Sequence, residues 1–571
     1  EGDGTRLFSA LGAALADVPP ERVAGAILVT DGRVHDVPAP SLLGFDAPVH
    51  SLITGMPNER DRRVTLTATP RFGLVGQRQT IGYRIVDEGA PAGARVPVII
   101  RRDGEVVARA TVIAGTNTEV PVEITHAGPN VVEIEASALD GELTPLNNRA
   151  ALTVEGVREK LRVLLVSGEP HSGERTWRNL LKSDANVDLV HFTILRPPEK
   201  QDGTPINELS LIAFPTRELF QQKIRDFNLI IFDRYAQQGV LPLIYFDNIV
   251  NYVHEGGAVL VAAGPEFAGV ASIHRSPLEK ILPAAPTGSV AERAFRAQLT
   301  ELGKRHPVTR SLEGAQSTPP DWSQWFRAIS ARPSAEGTTI MSGADDAPIL
   351  VLGRQNEGRV ALLLSDHIWL WARGFQGGGP HLELLRKLSH WLMKEPDLEE
   401  ERLVLRASGR DLVVERNTMQ EKAAAVTVTS PSGATRTVPL DQAEPGIFRN
   451  TIEAPEFGLW RASDGALTAL VNVGPINPRE YAEVTSTRDV LVPLAQATGG
   501  GVLRLAELND AAPRVLGVRS GERFSGPDWI GLRMRDASVV RGIGLFPLFA
   551  GLTGLLILLA AIATAWAREG R

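Results

Sequence analysis

The chain has 571 residues, of which 43% are hydrophobic and 22% charged, and it contains no cysteine. At roughly 100–200 residues per domain this length holds several units rather than one core, and such ordinary apolar and charged fractions exclude wholesale disorder. The missing cysteines exclude a disulfide framework, a thiolate zinc site, an iron–sulfur cluster and a thiol nucleophile, and a net charge of −7 (60 Lys+Arg against 67 Asp+Glu) gives no sign of a nucleic-acid surface.

Residues 1–62 read as helix, strand, loop, strand. Leu7, Leu11, Ala14 and Leu15 recur at helical spacing until Pro19 and Pro20 end the helix. The apolar run 26–30 is the pattern of a strand buried on both faces of a parallel sheet, and it closes on Asp31-Gly32. The chain opens on Glu1 in mid-motif, so it is expected to be a fragment whose first strands lie upstream. Over 63–157 the apolar period becomes two, with turns such as Asp103-Gly104 and Gly128-Pro129 at regular spacing, which predicts an immunoglobulin-like β-sandwich. Strands and helices alternate again over 158–398, with buried strands ending at Ser167-Gly168-Glu169-Pro170, at Asp233 and at Gly264-Pro265, and this predicts a doubly wound parallel α/β sheet. The acidic run 395–401 reads as a solvated linker. Residues 399–476 predict a second β-sandwich and 477–541 a juxtamembrane region with a short α/β remnant. Residues 543–566 carry no charged side chain. As a helix they would extend about 36 Å, enough to cross a bilayer, so 542–567 is assigned as a transmembrane helix. The basic residues on its two flanks barely discriminate orientation, and the short tail favours a cytoplasmic C-terminus with the bulk periplasmic.

Carboxylates at strand ends carry the candidate chemistry, because α/β folds bind ligands at the carboxyl edge of the sheet. Asp31 is one, and Thr5 precedes the helix in an Asp3-Gly4-Thr5 turn; a hydroxyl and a carboxylate suit Mg²⁺ or another divalent cation. The plainer roles for these two are a helix cap and a turn former. Asp3-Gly4-Thr5 and the Ile-Leu-Val-Thr-Asp-Gly run at 27–32 resemble two elements of the von Willebrand factor A fold, whose metal-ion-dependent adhesion site would draw its first element, Asp-x-Ser-x-Ser, from upstream. The resemblance implies Thr5 and Asp31 as metal-site residues.

Residues 160–395 resemble the class I glutamine amidotransferase-like fold through Ser167-Gly168-Glu169-Pro170, Asp233, and His254-Glu255-Gly256-Gly257 leading into the strand before Gly264. Active members place a nucleophilic Cys after that last strand. Here Gly264-Pro265-Glu266 stands in its place, so thiolate attack on a glutamine amide is impossible. Ser365-Asp366-His367 are consecutive and cannot align as nucleophile, base and orienter. Asp233, Glu266, Asp366 and His367 remain as ligand candidates. Trp369 and Trp371 beside the Gly-rich 374–379 read either as a lid or as aromatic packing under a loop. Asn147-Asn148-Arg149-Ala150 resembles the ending of bacterial cell-adhesion-related immunoglobulin-like domains.

The order of these parts resembles large membrane-anchored bacterial proteins that combine von Willebrand A and glutamine amidotransferase-like domains. That resemblance implies a link to MoxR-type AAA+ ATPases and to other membrane proteins as partners, and a place in the inner membrane. The expectation is a non-catalytic envelope scaffold, a pseudoenzyme, that binds protein partners. The alternative is a hydrolase or small-ligand sensor at the carboxyl edge of the amidotransferase-like domain.

Overall fold

A computed structural model describes residues 4–91, 93–168, 171–193, 215–475, 482–508, 512–519, 521, 523–535, 544, 547 and 551–570. The chain divides into two compact units, residues 1–59 with 483–571, and residues 60–482.

In the first unit, Ala26–Thr30 and Val49–Ile53 pair in parallel, and Val502–Arg504 adds a third parallel strand on the far side of Val49–Ile53. The stretches 1–62 and 477–541, read separately along the chain, therefore share a sheet. Phe8, Leu28, Val49, Ile53, Leu491 and Leu494 form its core. The strand expected to be buried on both faces is covered on one. Ala26 and Leu28 are buried, whereas Ile27 and Val29 are 41% and 61% exposed, the alternation of a strand with one face covered. A second parallel pair, Arg514–Val518 with Trp529–Arg533, comes from the juxtamembrane region 477–541.

The 19-residue helix Gly551–Glu569 is long and apolar enough to cross a membrane. Leu552, Leu555, Leu556, Leu558 and Trp566 are each more than half exposed along it, which a water-soluble surface seldom tolerates. The preceding part of the predicted span, at 542–550, lies largely outside the described residues.

The second unit holds two β-sandwiches and one large mixed sheet. Residues 61–157 form a sandwich of a three-stranded and a five-stranded sheet, closed over Ile81, Tyr83, Val98, Ile100, Val132 and Leu152. Residues 402–473 form a second sandwich of two four-stranded sheets, around Leu412, Val414, Val428, Trp460 and Ala462. Between them in sequence lies an eight-stranded sheet. Five strands run parallel, in the order Val187–Thr193, Leu161–Ser167, Leu229–Asp233, Ala258–Ala262, Gly358–Leu363. Pro348–Gln355, Thr338–Ser342 and Gln298–Leu299 extend it, each paired antiparallel to its neighbour. The sheet is therefore mixed rather than wholly parallel: a tight Gln355 to Gly358 hairpin turns the chain back on itself, which a parallel crossover cannot do. Helices Glu174–Ser183 and His381–Leu392 cover one face, and Leu243–His254 covers the other. Leu161–Ser167 lies between the strand that follows it and the one after that, so successive crossovers leave in opposite directions and open a crevice at their carboxyl ends.

Candidate functional site

Four strand ends meet at this edge. Ser167 and Asp233 are register partners on neighbouring strands. Asp233 is buried, and its Oδ2 lies 2.9 Å from His171 Nε2. The other ring nitrogen, Nδ1, accepts the Gly173 N–H at 3.1 Å. With that lone pair occupied, Nε2 carries the proton and donates it to Asp233. His171 is thus tied at both nitrogens.

Arg234 follows in the left-handed region at φ 48°, and its N–H donates to the Ala262 carbonyl at 2.9 Å. This turn aims the guanidinium across the edge. Nε and Nη2 reach Glu266 Oε2 at 3.4 and 3.3 Å, and Nη1 stands 3.5 Å from Asp366 Oδ2. Arg327 Nη1 holds the same Asp366 oxygen at 3.2 Å and extends to Glu292 Oε1 through Nε and Nη2. Carboxylates and guanidiniums alternate in the sequence Glu266, Arg234, Asp366, Arg327, Glu292. Burial raises the Glu266 pKa, against the hydrogen bonds and the Arg234 charge that lower it.

The space just after the strand Ala258–Ala262 is closed. A Cβ built on Gly264 would lie 2.4 Å from Arg234 Nε and 2.7 Å from a Glu266 oxygen. Glu266 Oε1 in turn accepts the Gly264 N–H at 2.8 Å. A side chain at 264 would displace the ends of Arg234 and Glu266 that fill the space.

Ser365 is buried, donates its hydroxyl to the Arg327 carbonyl at 2.7 Å and accepts the His367 N–H at 3.2 Å. His367 Nδ1 accepts the Phe326 N–H at 3.1 Å, which leaves Nε2 facing Asp366 Oδ1 at 3.8 Å. Burial lowers the His367 pKa, with Asp366 opposing. These three consecutive residues shape a turn and do not form a triad. A further Ser–His contact joins Ser167 Oγ to His191 Nε2 at 2.9 Å. Ser167 is only 1% exposed, and Thr193 Oγ1, itself donating to Glu174, shares the imidazole nitrogen at 3.4 Å. A nucleophile must be reachable, and this hydroxyl is enclosed.

The structure thus brings Asp233, Glu266, Asp366 and His367 to one edge. The sequence reading missed His171, Arg234, Arg327 and Glu292, the groups that neutralise or orient them. Arg234, adjacent to Asp233, was the one with a local signal. Glu169 and Pro170 lie outside the described residues, as does Asp3.

Thr5 and Asp31 sit in the other unit. The Thr5 N–H donates to His35 Nδ1 at 3.2 Å, while the helix Leu7–Ala14 is capped from a distance by Asp36, whose carboxylate accepts the Phe8 and Ser9 N–H groups. Asp31 Oδ1 accepts the Arg33 N–H at 2.9 Å within its own turn. Together they offer one hydroxyl and one carboxylate, and among the described residues no group of three or more His, Asp or Glu side chains is placed to hold a metal ion.

Trp371 is buried against Trp322 and Trp325 (ring centroids 5.3 and 4.6 Å apart) and donates its N–H to Ser323 O, so it belongs to the packing. Trp369 is partly exposed, with Arg373 over its ring at 5.5 Å. The acidic run 395–401 is not a solvated linker. Glu399 and Glu400 pair with Arg359, Arg354 and His306. Although burial would raise it, the Glu400 pKa is brought down to about 2 by His306 and Arg354.

No protein-family profile matches the chain, and no curated protein does. Among solved structures, a cytoplasmic protein of Salmonella typhimurium aligns at 16% identity over 41% of this chain and 99% of its own, with a TM-score of 0.31. An exo-β-1,4-mannosidase from Opitutaceae bacterium strain TAV5 aligns at 11% identity over 41% of this chain and 36% of its own, with a TM-score of 0.23. The CARDB domain of a Pyrococcus furiosus protein aligns at 18% identity over 18% of this chain and 99% of its own, with a TM-score of 0.17. At these scores none bears on the chemistry of the site.

Proposed function

We propose that the protein is a membrane-anchored, non-catalytic scaffold of the bacterial envelope that binds protein partners through its soluble domains. The observation that carries this reading is the closed ion network at the carboxyl edge. Arg234 bridges Glu266 and Asp366, Arg327 bridges Asp366 and Glu292, and His171 serves Asp233. Groups that neutralise one another in the resting fold have little left to polarise a substrate. The space behind the fourth parallel strand, where a nucleophile would stand, is filled by an ion pair. The apolar helix Gly551–Glu569 supplies the anchor, and two sandwiches flank the α/β lobe in sequence as spacers or interaction modules. A MoxR-type AAA+ ATPase is the partner class that the domain order implies.

The test is binding of a purified MoxR-type ATPase to the full chain in proteoliposomes, with hydrolysis of ester, amide and glycoside substrates followed in the same preparations. A saturable complex, unaffected by Asp366→Ala or His367→Ala and formed without turnover, supports the scaffold. Turnover that either substitution or Ser167→Ala abolishes would make the protein an enzyme and end this reading.

A further inference from the structure

The first sandwich contains a second cluster of buried oxygen-bearing side chains, built differently from the carboxyl edge. Asp61 opens the strand Asp61–Ala68 and is fully buried. Its Oδ2 accepts a hydrogen bond from Asn147 Nδ2 at 2.7 Å, whereas its buried Oδ1 has no hydrogen-bond partner. Glu142 is brought alongside by a backbone bridge to Arg60, and the Leu143 N–H donates to the Arg60 carbonyl at 3.0 Å. The Glu142 carboxylate accepts from Leu139 N–H at 3.1 Å and from Asn148 Nδ2 at 2.7 Å. Asn148 is 3% exposed, and its Oδ1 also has no hydrogen-bond partner.

Two carboxylates therefore stand together with amide hydrogen-bond partners, and among the described residues neither forms an ion pair, although the charges of Arg63 and Arg62 reach Asp61 and Glu142 from further off. The neighbouring guanidiniums are committed elsewhere. Arg62 holds both oxygens of Asp87 at 2.7 Å and the Ser137 carbonyl at 2.8 Å, and Arg63 holds Glu88 at 2.6 Å. Burial pushes the Asp61 pKa up to about 6, against the Asn147 hydrogen bond and the Arg63 charge that lower it, and repulsion from Glu142 adds to the rise. A buried carboxylate is kept in a fold when it is paired or coordinates a metal. The donor set consists of hard oxygens from carboxylates and side-chain amides, without thiolate or imidazole, which selects calcium-like ions over zinc or copper. A half-turn of the Asn148 amide exchanges its nitrogen and oxygen and turns a carbonyl toward Glu142. Glu142 is partly exposed, so an ion has a way in.

We propose that Asp61, Glu142 and Asn148 form a Ca²⁺ site that pins the loop 138–148 to the first strand of the sandwich. It contains two carboxylates and one amide oxygen, so it is distinct from any cluster of three acidic or histidine ligands, and it does not depend on the scaffold reading.

The test uses the full chain in detergent, stripped with a chelator and then titrated with CaCl₂ by calorimetry and by thermal melting. The expected result is one saturable Ca²⁺ per chain at roughly 10⁻⁴–10⁻³ M, the range of extracellular calcium modules, with a rise in Tm. Asp61→Asn and Glu142→Gln should each weaken it tenfold or more, and Glu142→Gln, at a partly exposed position, covers the case in which Asp61→Asn fails to fold. The proposal is overturned if folded wild-type protein shows neither heat nor a Tm rise up to about 10 mM Ca²⁺, ten times the weakest affinity expected. It is equally overturned if Glu142→Gln titrates like wild type, or if Asp31→Ala removes the ion, which would place it in the other unit.

Discussion

The carboxyl edge of the α/β lobe and the loop cluster of the first sandwich both bury acidic side chains, yet they settle the charge in opposite ways. At the edge, Glu266 and Asp366 are held by Arg234 and Arg327. In the loop, the hydrogen bonds to Asp61 and Glu142 among the described residues come from amide groups, and the nearest guanidiniums act only through their charge. The difference teaches that a concentration of carboxylates at a strand end is not itself a site. What separates a structural network from a ligand site is whether the counter-charge belongs to the chain. A buried ion pair can cost as much to desolvate as it returns, so its presence says little about stability, but removing one partner strands the other at high cost.

The sharpest way to break this comparison is Arg234→Met. If the edge is an internal network, the substitution leaves Glu266 without its guanidinium and Asp366 with Arg327 alone, and should destabilise the larger unit by roughly 3–5 kcal/mol, read as a large drop in its melting temperature. A change within experimental error would mean that the carboxylates are solvated and the edge is open.

The pH response of the loop comes next. Asp61 has a folded pKa of about 6 against an ordinary value near 3.8. Its protonated form is the one the fold prefers, so in the absence of Ca²⁺ its contribution is fully present below pH 4 and is lost as pH rises through 6. The loss should amount to about 2–3 kcal/mol. Asp61→Asn should erase that dependence, as should saturating Ca²⁺.

A third carboxylate sharpens the contrast with the opposite sign. Burial works against ionised Asp36, but hydrogen bonds from Phe8 and Ser9 outweigh it and lower its pKa. Its contribution is present above the ordinary carboxylate range and is lost as pH falls through the lowered folded value. Asp36→Ala should cost about 1 kcal/mol, the usual worth of a helix cap, seen as faster amide exchange in the first turn of Leu7–Ala14. The smallest effect belongs to a solvated pair. Arg162 and Asp188 are about half exposed at 3.4 Å, and Arg162→Ala should change stability by less than about 0.5 kcal/mol.

Much of the architecture could be read along the chain because it rests on local periodicity. The alternation over 63–157 and 399–476 became two sandwiches, and the apolar runs ending at Ser167, Asp233 and Ala263 became neighbouring strands of one sheet. Pairing over long separations left no such trace. Val502–Arg504 joins a strand some 450 residues earlier, and nothing in its own few residues announces that partner. The carboxylates of the edge were legible because each follows a buried strand. Their partners were not, since Arg327 and Glu292 come from segments without a strand-end signature, and an arginine reads the same whether it faces solvent or an aspartate 39 residues away. The run 395–401 shows the same limit. Its charge pattern suggests solvent, whereas Arg354, Arg359 and His306 lie around it.

The proposal on which the account stands is that, among the described residues, the α/β lobe holds no reachable nucleophile. Treating the full chain in its membrane with a fluorophosphonate, which labels serines activated by histidine, and mapping the product by mass spectrometry tests it directly. The account predicts no adduct on Ser167 or Ser365. An adduct on Ser167 that disappears in His191→Ala would contradict it.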